Sequence, residues 1–153
     1  MAIFISGMIC PICSQPIEGT DEFVAFPPFV ENEIDPLWIF SDSVLHQKCF
    51  DEHPLSTQAL LRYEVTRKLR VRPKTCVVCK MDVTTPDDYF VLGHLTDDIN
   101  DPLFEYNYTQ FHLSHLSQWA DLDLICALIT EARRSGKMKG KGVDWMLSRL
   151  QAK

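Results

Sequence analysis

The chain has 153 residues, a formal net charge of −6, 46% hydrophobic and 24% charged residues, an ordinary globular balance that excludes wholesale disorder and collagen-like repetition. No apolar run approaches the roughly 20 residues that span a bilayer, and the opening Met1 to Gly7 lacks a basic start and a long apolar stretch. The expectation is a soluble, cytoplasmic protein with no membrane partner.

Taken in chain order, Cys10-Pro-Ile-Cys13 comes first, followed by two aromatic and β-branched runs, Glu22 to Phe26 and Leu37 to Phe40, which read as a long-looped hairpin. His46-Gln-Lys-Cys49 follows, with Ser41, Asp42 and Ser43 as N-cap candidates for a helical segment. From Ser56 to Arg70, Leu61, Val65 and Leu69 recur at four-residue spacing, which predicts a helix with that stripe packed inward; Arg62, Glu64, Arg67 and Lys68 face away and Pro73 ends the segment. Cys76-Val-Val-Cys79 then opens a second series. Asp88 to Leu92 and Leu103 to Tyr108 read as a second hairpin, and Thr109 stands before His112-Leu-Ser-His115. Ser117 to Arg134 carries Trp119, Leu122, Leu124, Ile125, Leu128 and Ile129, an apolar surface too wide for a singly packed helix and expected to sit between the two cysteine–histidine units or against a partner, a homodimer included. Residues 135–142 read as a mobile basic loop, and Val143, Met146, Leu147 and Leu150 mark a closing helix.

Six cysteines in a cytoplasmic chain are expected to be reduced, so their spacing points to metal rather than to disulfides. Structural zinc takes four thiolate or imidazole donors, and two pairs spaced by two residues close one site. Cys13 to His46 spans 33 positions, as does Cys79 to His112. Sliding the chain by 66 residues puts Cys10, Cys13, His46 and Cys49 on Cys76, Cys79, His112 and His115 without a gap. Asp35-Pro36-Leu37-Trp38 then falls on Asp101-Pro102-Leu103-Phe104 and Asp21 on Asp87, while Phe23, Phe26, Phe29 and Phe40 fall on Tyr89, Leu92, Leu95 and Tyr106. Seven positions between 10 and 50 are identical, so the pattern is an internal duplication of a metal-binding unit. Two structural Zn²⁺ ions are expected, with those eight residues as ligands. Cys126, amid Leu124, Ile125, Ala127 and Leu128, reads as a core filler, and His53 and His94 as ordinary surface or loop histidines.

Knuckle, hairpin and a helix whose first turn donates the last two ligands resembles a treble-clef zinc finger, and His46-Gln-Lys-Cys49-Phe50 resembles the end of a LIM-type zinc half-site. The departure from the LIM pattern is a spacer of 32 residues and no second ligand set immediately after. The resemblance implies an α+β fold of two repeated treble-clef-like units with connecting and C-terminal helices. Residues 1–73 would form the first unit with its connector helix, 74–135 the second with its long apolar helix, and 136–153 the basic loop and closing helix. Treble-clef units serve protein binding, nucleic-acid binding and nuclease catalysis alike, so the resemblance bears on fold more than on function.

Each unit supplies a complete set of four donors, whereas catalytic zinc keeps a position open for water. His94 is the one candidate base for a nuclease, and the aligned residue of the first unit is Pro28; the expectation is therefore no enzyme. Charge is segregated along the chain. Residues 81–130 hold no Lys or Arg, while Asp87, Asp88, Asp97, Asp98 and Asp101 cluster around the second hairpin. Five thiolates against two dications take the net charge from −6 to −7. This favours a protein-binding module that steers a basic partner, in concrete form a small immunity protein or antitoxin covering a basic toxin such as a nuclease. The alternative is a nucleic-acid-binding or regulatory zinc finger using Arg67, Lys68, Arg70, Arg72 and Lys74.

Overall fold

The computed structural model describes residues 4–152. Its backbone forms two compact units, Met1–Val30 with Asp35–Lys68 and Glu31–Ile34 with Leu69–Lys153. The architecture is mixed α and β, with small antiparallel hairpins and helices.

In the first unit, β1 (Met8–Ile9) pairs with β2 (Pro16–Ile17) around Cys10 and Cys13, and β3 (Phe23–Phe26) pairs with β4 (Ser43–His46). Helix α1 (Gln47–Asp51) starts directly after β4, and α2 (Ser56–Val71) follows. The second unit has β5 (Tyr89–Val91) paired with β6 (Gln110–His112), a 3₁₀ segment at Leu113–Gln118, and helices α3 (Leu122–Arg134) and α4 (Lys141–Gln151).

The duplication extends from ligands to backbone geometry. Phe23 lies opposite His46 as Tyr89 lies opposite His112, and the rest of both hairpins keeps the same register. Thr75 bridges Asp82 as Ile9 pairs with Pro16. In each knuckle the first cysteine's carbonyl accepts the N–H of the fourth residue on, Ser14 at 2.8 Å and Lys80 at 2.9 Å. Both of those residues take the left-handed conformation, at φ 58° and 63°, which turns the chain sharply enough to aim both sulfurs inward. Further along, Asp35 and Asp101 accept the N–H of Leu37 and Leu103 at 2.8 and 2.9 Å.

Those Asp-Pro pairs correct the predicted hairpins. Asp as cap and Pro at the first position start a 3₁₀ turn over Pro36–Phe40, so Leu37 to Phe40 is not a strand. Leu103 to Tyr108 likewise holds a 3₁₀ turn at Phe104–Tyr106. The strands that pair are β4 and β6, which place His46 and His112 at their last residues. Ser43 and Thr109 bond back to the carbonyls of Phe40 and Tyr106 rather than capping a helix.

Each unit has its own core. In the first, Phe26, Phe29, Phe40, Leu45 and Phe50 are buried with Ala59, and Tyr63 packs edge-on against Phe26 and Phe29. Helix α2 therefore turns Ala59 and Tyr63 inward. Leu61 and Val65 of the predicted inward stripe are 65% and 44% exposed. Arg62, predicted to face away, is nearly enclosed, its Nη1 3.1 Å from Asp35 Oδ2.

In the second unit, Leu92, Leu103, Phe111 and Trp119 pack with Ile125 and Ile129 of α3 and with Val143, Met146, Leu147 and Leu150 of α4. Most of the apolar face of α3 is thus covered within its own unit, with Leu122, Cys126 and Leu128 against the same core, while Leu124 stays 50% exposed. Residues 135–140 are pinned rather than loose. Met138 is 5% exposed; Asn32 donates to Lys137 O at 3.0 Å and accepts from Lys139 N at 2.9 Å, and Glu33 N donates to Lys139 O at 2.9 Å. Among the described residues no helix is long and apolar enough to cross a membrane.

Candidate metal centres

The eight predicted ligands come together as two groups of four. Cys10, Cys13, His46 and Cys49 offer ligand atoms within 4.8 Å of one another, and so do Cys76, Cys79, His112 and His115. In each group the first two donors come from the knuckle and the third from the end of a strand. The fourth differs in setting: Cys49 sits in α1, whereas His115 sits in the 3₁₀ segment Leu113–Gln118.

Sulfur and nitrogen edges of tetrahedral zinc, built from bonds of about 2.3 and 2.0 Å, are roughly 3.5 Å long. His46 Nδ1 lies 3.4 Å from Cys13 Sγ, His112 Nδ1 3.6 Å from Cys79 Sγ, and His115 Nδ1 4.0 Å from Cys76 Sγ. Each group could hold a metal ion, and a donor set of thiolates and imidazoles without carboxylate is consistent with zinc.

Burial and charge agree with that reading. Cys10 and Cys76 are fully buried. Burial alone would raise the Cys10 thiol, but the backbone N–H groups of Cys13, His46 and Ile12 and the His46 ring outweigh it and hold the thiol at about 6. Cys76 is held at about 5 against the same burial, by the backbone of Cys79 and His112 and the rings of His112 and His115. Cys49 is pushed up to about 11 by burial and by the neighbouring sulfurs of Cys13 and Cys10. A dication placed among three sulfurs would reverse that repulsion. The first centre is a three-thiolate, one-imidazole set and the second a two-thiolate, two-imidazole set.

The acidic residues singled out from the sequence all belong to the second unit. Asp88 accepts from Ser114 N at 2.8 Å and Ser114 Oγ at 3.0 Å, which holds its carboxyl below the usual range and ties the strand start to the segment bearing His115. Asp98 accepts from Asn100 N at 2.9 Å, and Asp101 caps the next turn. Asp97 Oδ1 lies 3.2 Å from Nε2 of His94, a loop histidine whose side chain is almost enclosed. Between Asp98 and Asp101, Ile99 is 75% exposed. Among the basic residues, Arg67 pairs with Glu64 at 2.7 Å and Lys74 Nζ lies 4.2 Å above the Tyr89 ring.

One neighbour of the first centre was not predicted as part of it. Asp21 Oδ2 lies 3.5 Å from His46 Nε2, the ring nitrogen directed away from the sulfurs. Its identity with Asp87 across the repeat is the signal that marks it in the sequence. No known protein family, curated protein or solved structure matches the chain.

Proposed function

We propose that the protein is a non-enzymatic, zinc-stabilised binding module of tandem treble-clef type that engages a basic protein through the connection between β5 and β6. The zinc part rests on the two four-donor groups, whose complete sets leave no coordination position for substrate or water. The order of knuckle, hairpin and helix in the first unit supports the treble-clef reading; in the second, a 3₁₀ turn takes the place of the helix at His115.

The observation that carries the partner class is the tip at residues 97–101. There an exposed Ile99 stands among Asp97, Asp98 and Asp101, with Asp98 and Asp101 engaged in local backbone bonds that hold the turn. An apolar anchor within an acidic rim fits a partner with an apolar pocket and a basic surround. A cytoplasmic immunity protein or antitoxin against a basic toxin, such as a nuclease, is the concrete form of this reading. A nucleic-acid role has less support, because Arg67 and Lys74 of the basic patch are already engaged by Glu64 and Tyr89.

The test is native mass spectrometry of the protein isolated from its host, beside the triple variant Asp97→Lys, Asp98→Lys, Ile99→Ser. The expected result is two zinc ions in both proteins and a basic protein bound only to the wild type. A bound protein equally retained by the variant overturns this surface, and bound nucleic acid overturns the partner class.

A further inference from the structure

We infer that Asp21 is a positioning residue of the first metal centre, its carboxylate accepting the Nε2 proton of His46 so that Nδ1 is the nitrogen offered to the metal. The inference rests on the reading of Cys10, Cys13, His46 and Cys49 as a zinc site and adds a fifth residue to it.

A neutral imidazole carries one proton, and the nitrogen that binds metal must be the other one. His46 Nδ1 faces Cys13 Sγ at 3.4 Å, inside the ligand group. Nε2 must therefore hold the proton, and the atom it meets at 3.5 Å is Asp21 Oδ2. An anionic acceptor there fixes both the tautomer and the ring plane, and it raises the basicity of the coordinating nitrogen.

Asp21 is itself held in place. The same Oδ2 accepts the Glu18 N–H at 2.8 Å, and Asp21 N donates to Glu18 O at 3.1 Å. This tight turn between β2 and β3 delivers the carboxylate to the ring edge. The turn is joined to the ligand strand from the other side as well, since Gln47 N donates to Glu22 O at 2.9 Å.

The internal repeat reaches the ligands and the capped turn but not this contact. Of the seven identical positions between 10 and 50, Cys10, Cys13 and His46 are ligands, and Asp35, Pro36 and Leu37 build the capped 3₁₀ turn. The remaining identity is Asp21 with Asp87, but the carboxylate at the ring edge is Asp21 in the first unit, whereas in the second it is Asp88 that lies beside His112 and His115.

The experiment is chelator competition for zinc on the full chain, comparing wild type, Asp21→Asn and Asp21→Ala, with the histidine ¹⁵N spectrum read in parallel. Asn keeps an oxygen for the Glu18 N–H, so the turn survives, but it removes the negative charge. The expected result is that one of the two zinc ions is lost at roughly 10–100-fold lower chelator strength in Asp21→Ala, with a smaller change in Asp21→Asn. The other zinc is unaffected, and the His46 Nε2 resonance shifts in both variants. Two zinc ions held at wild-type affinity with an unmoved His46 Nε2 resonance overturn the role of Asp21 alone. A wild-type protein that takes up no zinc overturns the metal reading, and this inference with it.

Discussion

Ser41 and Asn107 stand 66 positions apart and close the same loop with different chemistry. Ser41 Oγ accepts from Phe29 N and Val30 N, both at 3.0 Å, and donates to Val30 O. Asn107 Oδ1 accepts from Leu95 N and Thr96 N while its Nδ2 donates to Thr96 O at 2.8 Å. One hydroxyl in the first unit does what a whole amide does in the second, so the loop shape has outlasted the side chain that holds it.

Removing that hydroxyl should be costly. Ser41→Ala leaves two backbone N–H groups in a buried setting without their acceptor, at roughly 1–3 kcal/mol for each unsatisfied group. Asn107→Ala should lose a comparable amount. Urea denaturation of the zinc-loaded proteins checks both, and a loss below about 0.5 kcal/mol would mean that water reaches these loops.

Cys79→Ser should remove one zinc and leave the other. Structural zinc contributes on the order of 10 kcal/mol of folding free energy in small zinc peptides at neutral pH, more than a compact unit can spare. Trp119 is buried in the second unit's core beside Phe111, with ring centroids 4.6 Å apart. Tryptophan fluorescence should therefore register the loss, and zinc analysis should fall from two ions to one. A variant that keeps two ions and an unchanged melting curve would contradict the ligand assignment.

Acid should release zinc, since protons compete for the thiolate and imidazole donors. In the metal-free chain Cys10 and Cys76 lie at about 6 and about 5, below the ordinary 9.0. Their contribution to stability is complete above pH 9 and is lost as pH falls through those folded values. Cys49 has the opposite sign: raised to about 11, it favours the folded state below pH 9 and stops doing so as pH climbs through 11. His46, raised by the Cys10 sulfur, likewise contributes below pH 6.5 and ceases to as pH rises through its folded value. Zinc must displace the Cys49 proton at neutral pH, so loading of the first centre releases a proton and acid drives its zinc off. Native mass spectra between pH 7 and pH 4 follow the two losses. Two zinc ions still held at pH 4 would contradict thiolate and imidazole ligation.

The metal sites were legible because coordination ties spacing to geometry. Four donors must meet at one point, so Cys10, Cys13, His46 and Cys49 keep their separations when the unit is copied onto Cys76, Cys79, His112 and His115, even with one cysteine replaced by histidine. Strand pairing was less legible. Leu37 to Phe40 has strand composition, and only the Asp35-Pro36 start betrays the 3₁₀ turn, where a capping carboxylate and a fixed φ override propensity. The orientation of α2 departs from its periodicity for a third reason. Leu61 and Val65 make a plausible inward stripe, but small Ala59 fits beneath the aromatic cluster and Arg62 reaches Asp35, which puts the larger aliphatics outside. Spacing finds a stripe, but it cannot say which stripe the neighbouring core has room for. The Asp21 contact with His46 depends on a turn whose shape the residue types alone did not specify.

The second unit borrows Glu31–Ile34 from the middle of the first hairpin's long connection, and this bears on the order of events during synthesis. The bonds from Asn32 to Lys137 and Lys139 close over 105 and 107 residues. Residues 31–34 leave the ribosome early, yet their partners follow only when the chain is nearly finished, so this closure carries the entropic cost of a long loop and belongs late in folding. A fragment beginning at Leu69 would retain the second set of ligands, but the Lys137 and Lys139 carbonyls would lose the donors Asn32 Nδ2 and Glu33 N, and the Lys139 N–H would lose its acceptor, Asn32 Oδ1. The two units overlap in sequence, so a single cut cannot separate them intact.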